Sequence, residues 1–381
     1  MLDLGEIRNK IDAIDRQLVD LFEERMELCR EVAEYKIETG KKVLDPERER
    51  AKLETIAGMV SNPENSYAVK DLFAQIMSNS RKMQYRMLEQ TSGTLREPYE
   101  AVDFIEKDKC TVVYQGVPGA YSYIAMKRYF GKDVKNFAVA TWRDAMEAVS
   151  GGKADYAVLP IENSTAGIVA DVYDLLQEYD NYIVAETYVK VEHALLGLPG
   201  TDIDKVETVY SHPQGFMQCE HFLAKHKNWQ QISQTNTAGS AKKVLEENDT
   251  THVAIASEEA AEVYGLEVLE RTINDLDNNT TRFVIVSKDR KFVKSAKKMS
   301  IVFEIKNEAG TLYSILSHII YNGLNMNKIE SRPSETGQIE GKKWNFCFFV
   351  DFEGNIDEPA VMNAMRGIEE EAVSIKLLGN Y

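Results

Sequence analysis

Near the start of this chain apolar residues recur at alternating intervals of four and three: Ile7, Ile11, Ile14, Leu18, Leu21, Leu28 and Val32. That period fits one stripe of a bundle helix and no strand, so it fixes an α-helical beginning. Arg25 stands in the stripe where a leucine would complete it. A guanidinium turned into a seam is costly unless an anion meets it, and no acidic residue shares the stripe nearby. Lys36 follows 11 residues later, which at about 100° per residue returns it to nearly the same face. The expected partner of this doubly cationic stripe is an anionic ligand.

Two further segments place polar groups inward. Asp45-Pro46-Glu47-Arg48-Glu49 reads as a helix start, with Asp45 as N-cap and Pro46 in the first turn. From Tyr67 to Glu89 the apolar positions Val69, Phe73, Ile76, Met83 and Met87 enclose Ser80 and Gln84 in the same phase. Each residue alone fits a snorkelling side chain or a register device. As a set they resemble the all-helical chorismate mutases, over residues 1–90. The resemblance implies a substrate pocket lined by Arg8, Arg25, Lys36, Asp45, Arg48, Glu49, Ser80 and Gln84.

That resemblance implies a pericyclic rearrangement of chorismate to prephenate, which needs orientation and stabilisation of charge on the breaking ether oxygen. Lys36 and Gln84 are expected at that oxygen, with Asp45 and Glu49 on the substrate hydroxyl. Arg8, Arg25 and Arg48 would hold two carboxylates through their planar forks of donors. Arg8 lies 17 residues before Arg25 and roughly a quarter-turn off its face. It is therefore expected to reach the pocket from another chain, in a homodimer or higher homo-oligomer.

The 381 residues exceed one ordinary domain, and an apolar content of 44% supports buried cores. No long apolar run or signal-peptide pattern occurs, so a soluble cytoplasmic protein is expected. Cys29, Cys110, Cys219 and Cys347 have no paired spacing, which argues against a disulfide framework and a zinc site. A net charge of −16 disfavours nucleic acid and anionic membranes as partners. The six histidines show no metal spacing, and no glycine-rich nucleotide loop occurs, so neither metal nor cofactor is expected.

Residues 91–109 read as a linker with some helical character. Strands then alternate with helices: Thr111 to Tyr114, Tyr156 to Pro160, Tyr182 to Val189, Thr208 to Ser211, Val253 to Ala256 and Phe283 to Ser287 are the expected strands. This order implies an α/β domain over 110–290 with mostly parallel sheets and ligands beyond the strand ends. Those ends carry Gly116-Val117-Pro118-Gly119, Glu162-Asn163-Ser164, Ser211 to Cys219, and Asn278-Asn279-Thr280-Thr281-Arg282-Phe283. The clusters resemble prephenate dehydratase, which implies a two-lobed fold like a periplasmic binding protein. Asn163, Ser164, Gln218 and Thr281 are then the functional set, with Thr281 the essential hydroxyl. Arg282 either holds a substrate carboxylate or ties the lobes together. Expelling carbon dioxide and hydroxide from prephenate needs a proton, for which Glu162, bound water and Thr281 are the possible sources.

The basic run Ser287 to Lys298 reads as a solvated linker. Residues 299–381 then show the order β-α-β-β-α-β of a ferredoxin-like α+β sandwich, including a strand from Trp344 to Phe352. Glu330-Ser331-Arg332-Pro333 and Gly310-Thr311-Leu312-Tyr313 make this stretch resemble an ACT domain that senses phenylalanine. The three resemblances imply a multidomain, bifunctional enzyme of phenylalanine synthesis with phenylalanine as allosteric inhibitor. A mutase joined to a dehydrogenase would need a nicotinamide loop that is absent here, and a pure sensor would not need Thr281 and the complete helical set.

Overall fold

The computed structural model describes residues 3–91, 99–334 and 345–381. It divides into two compact units, one joining the N-terminal helices with Ile301–Lys376, the other comprising Tyr99–Ser300 and Leu377–Tyr381. Of the expected linker, residues 92–98 lie outside the described residues, as does Trp344.

Helix α1 runs Leu4–Thr39, begun by Asp3 accepting from the backbone N of Gly5 at 2.8 Å and ended at Gly40 with φ +65°. Its apolar stripe faces outward: Leu18 is 54% and Leu21 62% exposed, and among the described residues of α1 only Ala33 is buried. Helix α2, Pro46–Gly58, starts as read, with Asp45 accepting from the Arg48 N at 3.1 Å. Helix α3 spans Ser66–Thr91.

In the second unit the chain passes through β1 (Glu100–Val102), β2 (Thr111–Gln115), α4 (Tyr121–Phe130), β3 (Lys135–Val139), α5 (Trp142–Ser150), β4 (Tyr156–Asn163), β5 (Gly167–Ile168), α6 (Ala170–Glu178) and β6 (Tyr182–Lys190). It crosses to a second lobe made of β7 (Ala194–Gly197), β8 (Thr208–Ser211), α7 (Pro213–Met217), α8 (Glu220–Leu223), β9 (Gln230–Ser233), α9 (Thr237–Glu247), β10 (His252–Ala256), α10 (Glu258–Tyr264) and β11 (Glu267–Glu270). It returns through β12 (Thr280–Ser287) to β13 (Lys291–Val293). The first lobe orders its strands β6-β12-β4-β2-β3 and the second β11-β7-β10-β8-β9.

The sheets are mixed rather than mostly parallel. Strand β12 re-enters the first lobe against the direction in which β6 leaves it, so it pairs antiparallel with both β6 and β4. Val112, Tyr114, Met126, Val158 and Phe283 pack the first lobe's core; Ala194, Leu196, Tyr210, Ala241 and Ala254 pack one face of the second. The basic run is no solvated linker, because β13 pairs in parallel with β1 and buries Phe292. Among the described residues of 91–109, Thr91 ends α3 and Glu100–Val102 form β1.

The tail forms β14 (Lys298–Ile305), α11 (Thr311–Ile320), β15 (Met326–Pro333), β16 (Phe346–Glu353), α12 (Pro359–Glu371) and β17 (Ser374–Asn380). Its strand order is β15-β16-β14-β17, with α11 against α12. Helix α12 also packs on α3, which is why the helices and this module form one unit.

In the turn after β2, Gly119 has φ +86°, and a Cβ there would lie 2.8 Å from the Ala260 Cα. Gly119→Ala combines a left-handed backbone with a clash against main chain. It is expected to cost about 2–4 kcal/mol, read as a lowered urea midpoint of unfolding.

Candidate functional sites

The helical set converges where the C-terminal half of α1 meets α2 and α3. Arg25 Nη1 donates to Ser80 Oγ at 2.7 Å, and that hydroxyl donates to the Ile76 carbonyl one turn back at 2.9 Å. Gln84, the next turn of α3, is buried, and its Oε1 has no partner among the described residues. Lys36 Nζ donates to the Val43 carbonyl at 2.6 Å. Burial lowers the Lys36 pKa, Glu49 and Asp45 oppose that fall, and Arg48 adds to it. An anion entering here would favour the charged form of the half-buried Lys36.

Arg8 is the member left out. It is exposed near the start of α1, about 25 Å along the helix from Arg25 at 1.5 Å per residue. No bend of a single helix closes that gap.

Arg81 is a group the sequence reading missed. It is only 6% exposed, with Nη1 on Glu49 and Nη2 2.9 Å from Glu371 Oε1 of α12. Although burial opposes it, Glu371 and Glu49 raise the guanidinium's pKa. Burial likewise pushes the Glu371 carboxyl up, but His318, Arg81 and Ser314 hold it down at about 2. Beside it Tyr85 donates to Glu370 Oε2 at 2.6 Å, and the Leu44 N donates to the same oxygen at 3.0 Å. Burial and Glu370 carry the Tyr85 pKa well above its usual range. The available signal was a basic residue next to Ser80 in an otherwise apolar phase.

In the second unit the register of β12 against β4 puts Thr281 opposite Asn163. Asn163 Nδ2 donates to Thr281 Oγ1 at 2.9 Å and to Asn279 Oδ1 at 2.8 Å. Its Oδ1 accepts from the Thr165 and Ala166 amides at 3.0 and 2.8 Å, which fixes the amide's orientation. Thr281 thus accepts from Asn163 and keeps its own O–H to donate elsewhere. Ser164 Oγ clamps the strand start, donating to the Asn278 carbonyl at 2.9 Å and accepting from the Thr280 N at 3.0 Å.

Gln218, from the second lobe, joins this cluster by donating to Thr165 Oγ1 at 3.2 Å. Its Oε1 lies 2.9 Å from His193 Nε2, so the imidazole carries its proton there, while the Tyr121 hydroxyl, which donates to the Glu192 carbonyl at 2.9 Å, lies 3.1 Å from Nδ1. Burial lowers the His193 pKa, in keeping with a neutral ring. Asn279 is 1% exposed, and its Nδ2 lacks a partner among the described residues. Thr165, His193 and Asn279 were not singled out as site residues. Asn279 lay inside a noted cluster, whereas His193 had no local motif.

Arg282 does not join them. The strand alternation turns it away from Thr281, and it donates to Glu186 at 2.8 Å and to the Tyr381 hydroxyl at 2.8 Å. In this structure Arg282 forms a buried ion pair with Glu186 in the first lobe. In the tail, Gly310 caps α11 with φ +87°, Thr311 donates to the Glu308 carbonyl at 3.0 Å, and Leu312 is half-buried. Glu330, Ser331, Arg332 and Pro333 lie on β15, the edge strand, which β16 separates from β14. The cysteines are all free, and among the described residues no cluster of metal-ligating side chains occurs. None of the described helices is long and apolar enough to cross a membrane.

A chorismate mutase type II family model matches residues 7–85, and a prephenate dehydratase family model matches residues 112–291. The bifunctional chorismate mutase/prephenate dehydratase of Enterobacter agglomerans is 33% identical, covering 98% of this chain and 95% of that one. Two solved structures each cover 71% of this chain. Prephenate dehydratase from Arthrobacter aurescens in complex with L-Phe is 27% identical, with 89% of its chain covered and a TM-score of 0.65. GqqA, described as a novel type of quorum-quenching acylase, is 32% identical, with 97% covered and a TM-score of 0.64.

His193 gives the second unit a defined pH response. Its folded pKa lies below the ordinary value of 6.5, so below that pH the unfolded chain takes up a proton that the folded one refuses. Stability is therefore expected to fall as pH drops from 6.5 toward the folded value and to be unaffected by this group at higher pH. In His193→Gln that acid-side slope should vanish from urea midpoints measured between about pH 5 and 8.

Proposed function

Because the chain belongs to the bifunctional chorismate mutase/prephenate dehydratases, we infer that its helical pocket performs the first reaction and its two-lobed cleft the second. One observation carries this reading: two separate polar sites are built into one chain, cationic between α1, α2 and α3, and neutral with a hydroxyl donor between the lobes. Each suits its step. A dianion that rearranges needs cations and orientation, while loss of hydroxide and carbon dioxide needs a donor aimed at the leaving oxygen.

In the helical pocket Arg25 and Arg48 hold the chorismate carboxylates, Ser80 orients Arg25, and Glu49 with Asp45 receives the substrate hydroxyl. Lys36 and the unpaired amide of Gln84 face the ether oxygen, whose charge grows as the bond breaks. Arg8 acts in the pocket of a second copy. The exposed stripe of α1 supports this, because two such helices laid together bury Leu18 and Leu21 and carry each Arg8 toward the other chain's Arg25.

In the cleft Asn163 fixes Thr281 as a donor to the departing oxygen, Gln218 closes the second lobe over the substrate, and Ser164 holds the strand start. Aromatisation to phenylpyruvate drives the step. We read the C-terminal β-α-β-β-α-β module as an ACT domain that takes phenylalanine through Gly310, Thr311, Leu312 and the Glu330–Pro333 motif, and so inhibits the dehydratase. The Arthrobacter aurescens complex with L-Phe supports that ligand class.

Chorismate supplied without any cofactor should yield phenylpyruvate; prephenate that accumulates unconverted would sink the second assignment. Thr281→Ala is expected to lower prephenate turnover about a hundredfold while leaving the first step intact, and Arg25→Ala to do the reverse. Leu18→Asp should give monomers by light scattering and lose the mutase alone.

A further inference from the structure

We propose that Glu371 of α12 is a positioning residue for the mutase, setting through Arg81 how Glu49 is presented to substrate, so that the C-terminal module is part of the mutase pocket. The inference rests on the reading of Glu49 as a substrate-binding carboxylate. A guanidinium is a rigid fork, and here one fork serves two carboxylates: Nη1 takes Glu49 and Nη2 takes Glu371. The position of Arg81 is therefore a compromise between α2 and α12.

Glu371 is itself held from three sides. His318 Nε2 lies 3.0 Å from its Oε1, Ser314 donates to its other oxygen, and both belong to α11. A second contact runs parallel to the first. Glu370 accepts from Tyr85 and from the Leu44 N, one residue beyond the carbonyl that binds Lys36. The loop that presents Lys36 and the carboxylate of Glu49 thus both lean on consecutive residues of α12.

The charge balance gives the direction. With Glu371 neutralised, Arg81 pairs with Glu49 alone, and Glu49 becomes a poorer acceptor for a substrate hydroxyl. That interaction exists in the ground state and the transition state alike, so KM responds and kcat does not.

The test uses the full chain with chorismate and prephenate assayed separately. Glu371→Gln is expected to raise KM for chorismate about fivefold, with kcat and prephenate turnover within about twofold of the parent. Glu371→Asp should restore part of the loss. Added to Glu49→Gln, the Glu371→Gln change should have no further effect, since its route is already cut. An unchanged KM in Glu371→Gln, an equal loss of both activities, or full additivity with Glu49→Gln would overturn the proposal. Glu49→Gln is measured first; if it leaves the mutase unaltered, the pocket reading falls and takes this inference with it.

Discussion

A guanidinium that water scarcely reaches organises the first unit. Arg81 cannot remain charged at that depth without anions, because removing an ion from water costs several kcal/mol even after relaxation. Glu49 and Glu371 meet that need from two different elements, one on α2 and one on α12. Electrostatic necessity thereby joins segments separated by most of the chain. The remaining contacts fall in around it: Lys82 sits over the Tyr321 ring at 3.3 Å, and Asn363 reaches the Lys82 carbonyl. The helices and the C-terminal module are consequently one compact body.

The second unit depends on a different constraint, the direction of β12. A strand returning from the second lobe must run against the one that left, and its register then places Thr281 beside Asn163. The same register turns the next residue away, so Arg282 binds Glu186. Adjacent residues of one distinctive triplet therefore serve different ends. Thr281 joins the Asn163 cluster and Arg282 the ion pair with Glu186.

Much of this was legible from residue order. The four-three spacing of α1, the Asp45-Pro46 cap, the strand-helix alternation and the β-α-β-β-α-β tail all express local periods that the backbone obeys. Arg25, Ser80 and Gln84 were visible because a polar residue in an apolar phase is an exception. His193 and Arg81 were harder to see, since their partners lie far away in sequence: Gln218 for one, Glu371 for the other. The mixed sheets escaped for a related reason, because alternation of elements does not encode the direction of a strand that returns from another lobe.

By itself, then, the sequence determined the elements, their order and the chemical character of both sites, because period and side-chain type are local properties. Only the tertiary structure decided which charges are shared, and which residues of β12 pair with Asn163 and which with Glu186. It also decided that α1 leaves its apolar stripe uncovered within one chain. These are matters of long-range pairing and burial, and no local pattern fixes where a distant carboxylate will come to rest.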